Sequence, residues 1–75
     1  MSSETLIRMA NQIATFFESQ KPETRVAGVA GHVNDFWDPR MRTELLALIE
    51  AGGAGLDPMV CDAAHLIRRP ARDAA

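Results

Sequence analysis

Asn34-Asp35-Phe36-Trp37-Asp38-Pro39-Arg40-Met41-Arg42 is the stretch on which the fold of this chain turns. An aspartate followed by proline is a helix start: the short carboxylate can accept the unpaired N–H groups of the first turn. Proline's missing N–H costs nothing at the first helical position. The same grammar returns at Leu56-Asp57-Pro58. Each copy predicts a new helix, one opening at Pro39 and one at Pro58.

Working back toward the N-terminus, a helix is predicted from Pro22, with Val26, Val29, Ala30, Val33, Phe36 and Trp37 recurring at threes and fours. Before it, about Glu4 to Gln20 forms another, with Leu6, Met9, Ala10, Ile13, Phe16 and Phe17 on one face. Ser2 or Ser3 caps it, and Glu4 meets the positive end of its dipole. Working forward, the helix from Pro39 to about Ala51 is expected to bury Met41, Leu45, Leu48 and Ile49, with Leu46 on the flank, and to stop at Gly52-Gly53. The helix from Pro58 to about Arg68 uses Met59, Val60, Ala63, Ala64 and Ile67, with Arg68 and Arg69 at its negative end. Residues 70–75 are expected to be a frayed tail. Gly28 and Gly31 each cost about 1 kcal/mol in a helix interior, which points to a close backbone approach or to loose packing there. No run alternates as a strand would. The expectation is all-α: residues 1–75 as a single domain, a small bundle of about four short helices joined by tight turns.

The chain has 75 residues, 47% of them hydrophobic, but twelve of those are alanines that bury little area. Folding a chain this short hides only about 60–65% of the surface its unfolded form exposes. Such domains usually gain support from a disulfide, a metal or a partner. Cys61 is the only cysteine, which excludes an internal disulfide and a cysteine-built metal framework. A single thiol suits a reducing compartment, and neither a signal-peptide pattern nor a membrane-length apolar run is present, so a cytoplasmic location is expected. A partner surface is then the expected source of support.

The residues offer little chemistry. Gly52-Gly53-Ala54-Gly55 lacks both the dinucleotide pattern and the Gly-Lys-Ser/Thr ending of a phosphate loop, and reads as a turn. Cys61 and His65 are four apart and could share a ligand face, as could His32 with Asp35. Two ligands make a poor metal site, and a buried thiol beside an exposed imidazole is the plainer reading. Ser2, Ser3 and Ser19 lie where helix caps belong, and Asp35 and Asp38 read as a solvated edge and a cap. No catalytic, cofactor-binding or metal-binding residue is expected.

The stretch that opens the argument also breaks local rules. Neighbouring helical residues point about 100° apart, so Phe36 and Trp37 cannot both lie in the middle of one apolar stripe, and the same holds for Phe16 and Phe17. Arg40 and Arg42 fall in a first helical turn, where each exposed cation costs roughly 0.3–1 kcal/mol against the dipole. Ion pairs of Arg40 with Glu44 and of Asp38 with Arg42 would offset about 0.2–0.5 kcal/mol each. Aromatics flanked by arginines are also what interface hot spots are made of. The candidate partner interface is therefore His32, Phe36, Trp37, Arg40, Met41 and Arg42, the aromatics as buried anchors and the arginines pairing with carboxylates or carbonyls of the partner. A helical nucleic-acid binder that reads DNA through Arg40 and Arg42 is a poorer reading, because ten acidic residues outweigh eight basic ones. A homodimer that buries the aromatic face is another.

Three pieces, Met9-Ala-Asn-Gln-Ile-Ala-Thr-Phe-Phe17, His32-Val-Asn-Asp-Phe-Trp-Asp-Pro-Arg-Met-Arg42 and Gly52-Gly-Ala-Gly-Leu-Asp-Pro-Met-Val60, carry a resemblance. With them the chain resembles the delta subunit of the cytoplasmic, NAD-dependent, molybdenum-containing formate dehydrogenases, from about Arg8 to Ile67. The Phe-Trp-Asp-Pro-Arg-Met-Arg string is the specific part. The resemblance implies a small accessory subunit without a redox centre, associated with obtaining active, assembled enzyme. It implies a large alpha subunit that oxidises formate at a bis-molybdopterin-guanine-dinucleotide centre. Iron–sulfur clusters, FMN and NAD lie on the path of the electrons through the complex. It leaves two roles open: a permanent stabilising subunit docked on the alpha subunit, or a transient helper in inserting the molybdopterin cofactor.

Overall fold

A computed structural model describes residues 2–69, and the helices begin where the caps place them. In α1 (Ser3–Phe17) the Ser2 hydroxyl accepts the Thr5 N–H at 3.1 Å. Helix α2 (Pro22–Phe36) opens on proline with no side-chain cap. In α3 (Pro39–Glu50) the Asp38 carboxylate accepts the Met41 N–H at 2.8 Å, and in α4 (Pro58–Ala63) Asp57 accepts that of Met59 at 2.8 Å. The described residues are helices, turns and connections, with no strand among them. The expected frayed tail, residues 70–75, lies outside the described residues.

Two helix ends differ from the expectation. Helix α1 stops at Phe17 rather than Gln20: the Ser19 hydroxyl donates to the Phe16 carbonyl and the Gln20 N–H to that of Phe17, closing the last turn locally. Helix α4 stops at Ala63 and passes into a 3-10 turn, Ala64–Leu66, with Ile67 already extended. The reason is Asn34 of α2. Its amide donates to the Leu66 carbonyl (3.0 Å) and accepts from the Arg68 N–H (2.7 Å), taking up the backbone groups that a longer helix would use. Arg68 and Arg69 are therefore outside the helix, and Arg69 pairs with Glu50 across the surface. Asn11 of α1 does the same for the α3–α4 connection, donating to the Gly55 carbonyl (2.9 Å) and accepting from the Asp57 N–H (2.8 Å).

The glycine run ends α3 as expected. The Gly52 N–H reaches the Ile49 carbonyl and the Gly53 N–H that of Leu48, the paired bonds of a left-handed helix cap, with positive φ at both glycines. Gly53 is buried, and a Cβ there would lie 2.7 Å from Cys61 Sγ, so the turn also lets α4 close onto it.

Helix α1 packs on the other three helices, and α4 rests mainly on α2. The core is Leu6, Ala10 and Ala14 of α1 against Val29, Ala30 and Val33 of α2, closed by Leu45, Leu46, Val60 and Ala63. The buried line of α1 thus runs along small residues one turn apart, because alanines let helix axes approach. Met9, Ile13 and Phe17 are displaced to its edge, and Phe16 is 63% exposed. In α3, Leu46 is in the core rather than on its flank, while Met41, Leu48 and Ile49 are half-buried. Gly28 makes room for a ring, not a backbone: a Cβ there would stand 2.6 Å from Phe17 Cδ1. Gly31 has nothing within 4 Å of such an atom.

Candidate partner interface

The crowding of Phe36 and Trp37 resolves by division. Trp37, the C-cap residue of α2, keeps 5% of its surface exposed and belongs to the core; Phe36 is 75% exposed. Trp37, expected as an anchor for a partner, is packed in this chain's own core: the chain leaves helical geometry at this residue (ψ 138°) and the indole turns onto the bundle. Phe36 stacks on His32 one turn earlier, ring centroids 4.8 Å apart at 38°. Phe16 and Phe17 divide in the same way and meet edge to face at 5.0 Å.

Between these pairs lies an open, largely apolar groove of about 450 Å³. Helix α1 gives it Met9, Gln12, Ile13, Phe16 and Phe17; His32 and Trp37 supply the other wall. The groove brings together two of the six expected interface residues, His32 and Trp37, with Phe36 stacked at its edge. Phe16, Gln12 and Met9 were not expected there. The Phe16-Phe17 adjacency carried the signal, since the crowding that moves one of Phe36 and Trp37 outward applies to it equally.

The arginines separate too. Arg42 turns back onto its own chain, donating from Nη1 to the Trp37 carbonyl (2.8 Å) and from Nε to the Arg68 carbonyl (3.1 Å). In this chain by itself it satisfies carbonyls at the α2–α3 corner, where a carboxylate or carbonyl of a partner is expected to meet it. Neither expected ion pair forms: Asp38 is engaged as the cap and Glu44 accepts from the Ser3 hydroxyl (3.3 Å). The single ion pair among the described residues is Arg69–Glu50. Arg40 is exposed on the first turn of α3 with no carboxylate within salt-bridge distance among the described residues, and Met41 is half-buried beside it. With Arg42 engaged at the corner, Arg40 is the exposed arginine of the first turn of α3.

Among the described residues no group of three His, Cys, Asp or Glu side chains converges as metal ligands would. Cys61 is half-buried in α4, and His65 lies in the 3-10 turn, so the two do not share one α-helical face. No helix of the described residues is long and apolar enough to cross a membrane.

The model of one protein family, the NADH-dependent formate dehydrogenase delta subunit FdsD, matches residues 5–64, which takes in most of α1 and all of α2, α3 and α4. The chain belongs to the FdsD family. No curated protein matches it. Both the groove and the Phe36–Arg40 corner of this FdsD-family chain fall inside the matched residues.

Proposed function

We propose that this chain is a non-catalytic accessory subunit of a cytoplasmic, NAD-dependent molybdenum formate dehydrogenase, docking on the large catalytic (alpha) subunit and supporting assembly or stability of the complex. The observation that carries the docking is Phe36, three-quarters exposed on a domain with a small core, four residues before the exposed Arg40, which has no carboxylate within salt-bridge distance among the described residues. An exposed aromatic next to an arginine is the pairing that interface hot spots favour, the ring for buried area and the guanidinium for carboxylates or carbonyls. His32 holds the Phe36 ring by stacking; Met41 adds apolar surface. Trp37 and Arg42 act from inside, one as wall and the other as brace of the corner that presents Phe36 and Arg40. The bis-molybdopterin-guanine-dinucleotide, iron–sulfur clusters, FMN and NAD belong in this reading to the other subunits.

The test is co-purification of the complex with Phe36→Ala/Arg40→Ala, both exposed substitutions. Loss of this chain from the complex is expected; full retention with full activity would remove the corner from the interface. Deleting the chain separates stabilisation from help in cofactor insertion. Metal-loaded but fragile enzyme fits stabilisation, and assembled enzyme low in molybdenum fits insertion.

A further inference from the structure

Residues 67–69 follow the 3-10 turn as an extended stretch, with no strand among the described residues to pair it, so its backbone polar groups need side-chain or water partners. The side chains that take them come from the α2–α3 corner, not from α4, which leads into the stretch. Asn34, on the last turn of α2, holds the Leu66 carbonyl and the Arg68 N–H, and Arg68 Nη2 donates back to the Asn34 carbonyl (3.4 Å). Arg42, on the first turn of α3, holds the Arg68 carbonyl. Ile67 between them is buried and belongs to the core. A strap fixed by one buried side chain and a few side-chain bonds opens locally, at less cost than unfolding the bundle.

Arg42 decides what that opening does. Its guanidinium donates to two carbonyls at once, that of Arg68 in the strap and that of Trp37 at the C-cap of α2. The group is planar and its donors sit in a fixed fork, so both carbonyls are held only while strap and corner keep one relative position. Trp37 directly follows Phe36, and Arg40 lies two residues before Arg42. We propose that the strap is a conformational latch of this corner. Seated, it fixes through Asn34 and Arg42 the geometry in which Phe36 and Arg40 are presented; open, it leaves the corner unbraced and poor at docking. The latch stands on the geometry of the chain, and only its effect on docking rests on the accessory-subunit reading above. Asn34 and Arg42 are then positioning residues that act without touching the partner.

The test has one arm in the isolated full chain and one in the complex. Arg42→Lys keeps the charge but replaces the fork by a single ammonium. It is expected to speed amide exchange at Arg68 roughly tenfold or more, as loss of a hydrogen bond from a charged group does, although Arg42 bonds the carbonyl of that residue and not its N–H. Exchange at Asp57, which Asn11 holds in the same way, is expected to be unchanged. In the complex, Arg68→Pro removes the N–H that Asn34 accepts, and Ile67 is already extended, as a residue before proline must be. This variant is expected to lower retention of the chain several-fold with its helicity unchanged, and Arg68→Ala, which keeps the N–H, to be retained nearly as wild type. Wild-type exchange at Arg68 in Arg42→Lys, or equal acceleration at Arg68 and Asp57, overturns the latch. Wild-type retention of Arg68→Pro overturns its hold on docking. Failure of the wild-type chain to co-purify with the catalytic subunit overturns the accessory-subunit reading, and the exchange result then decides the latch by itself.

Discussion

Phe36 and Trp37 are neighbours in sequence and opposites in energetics. Truncating a buried tryptophan costs about 3–5 kcal/mol. A chain of 75 residues has roughly 4–11 kcal/mol in total at the usual 0.05–0.15 per residue. Trp37→Ala is therefore expected to remove much of the isolated chain's stability, read as a strongly lowered urea midpoint by circular dichroism, whereas Phe36→Ala, exposed, changes the unfolding free energy by about 0.5 kcal/mol or less. Loss of the complex with Trp37→Ala would then report lost stability as well as any lost contact. The glycines make a second contrast. Gly31→Ala, with open space around it, is expected to stabilise the isolated chain by about 0.5–1 kcal/mol through helix propensity. Gly28→Ala gains the same propensity but drives a methyl into the Phe17 ring, so it is expected to be destabilising in the same urea titration. The sequence shows that one member of each aromatic pair must leave the core. Which one leaves depends on where the chain departs from helical geometry, and at Trp37 only the tertiary structure sets that.

At the level of elements, all four helix starts could be read from local chemistry, because Ser2, Pro22, Asp38-Pro39 and Asp57-Pro58 act on their own first turns. The end of α4 could not. It is decided by Asn34, thirty-two residues before the Leu66 carbonyl it holds, and no window along the chain contains both. Asn11 and Asn34 work alike: each is an amide on a helix flank, clamping the backbone of a segment that has no regular partner, with one donated and one accepted bond. At about 0.5–1.5 kcal/mol per bond, Asn11→Ala and Asn34→Ala are each expected to cost roughly 1–3 kcal/mol. Amide hydrogen exchange separates them: Asn34→Ala should speed exchange at Arg68 and leave Asp57 protected, and Asn11→Ala the reverse. Uniform loss of protection in both would mean that the clamps do not act locally. The expected face of α1 holds the buried Leu6 and Ala10 but omits Ala14 and centres on larger residues that lie at its edge, for a related reason. Periodicity weighs large residues most, but the helices approach along Ala10 and Ala14.

Across the described residues, the molecule has an alanine-rich core, a surface with a single ion pair and an apolar groove open to solvent, the features on which the proposed docking of a partner rests. Its four-helix outline followed from caps and stripes. The groove did not, because it exists only where the α1 flank and the α2 C-terminus meet in space. Binding that favours the folded chain raises its stability by about 2.7 kcal/mol when the partner is a hundredfold above Kd. For a domain of this size each kcal/mol moves Tm by roughly 4–8 °C. Since Trp37 is the only tryptophan and lines the groove, 5-fluorotryptophan incorporated in this chain alone reads its unfolding inside the complex by fluorine NMR. The midpoint is expected to rise by about 10–20 °C on assembly. The Trp37 resonance should shift with it if the partner covers the groove, because contact there changes the packing of that wall. A raised midpoint with an unmoved resonance would put the partner on another face. An unchanged midpoint at saturating catalytic subunit would mean that this bundle is stable without help and that its exposed aromatics serve something other than completing the fold.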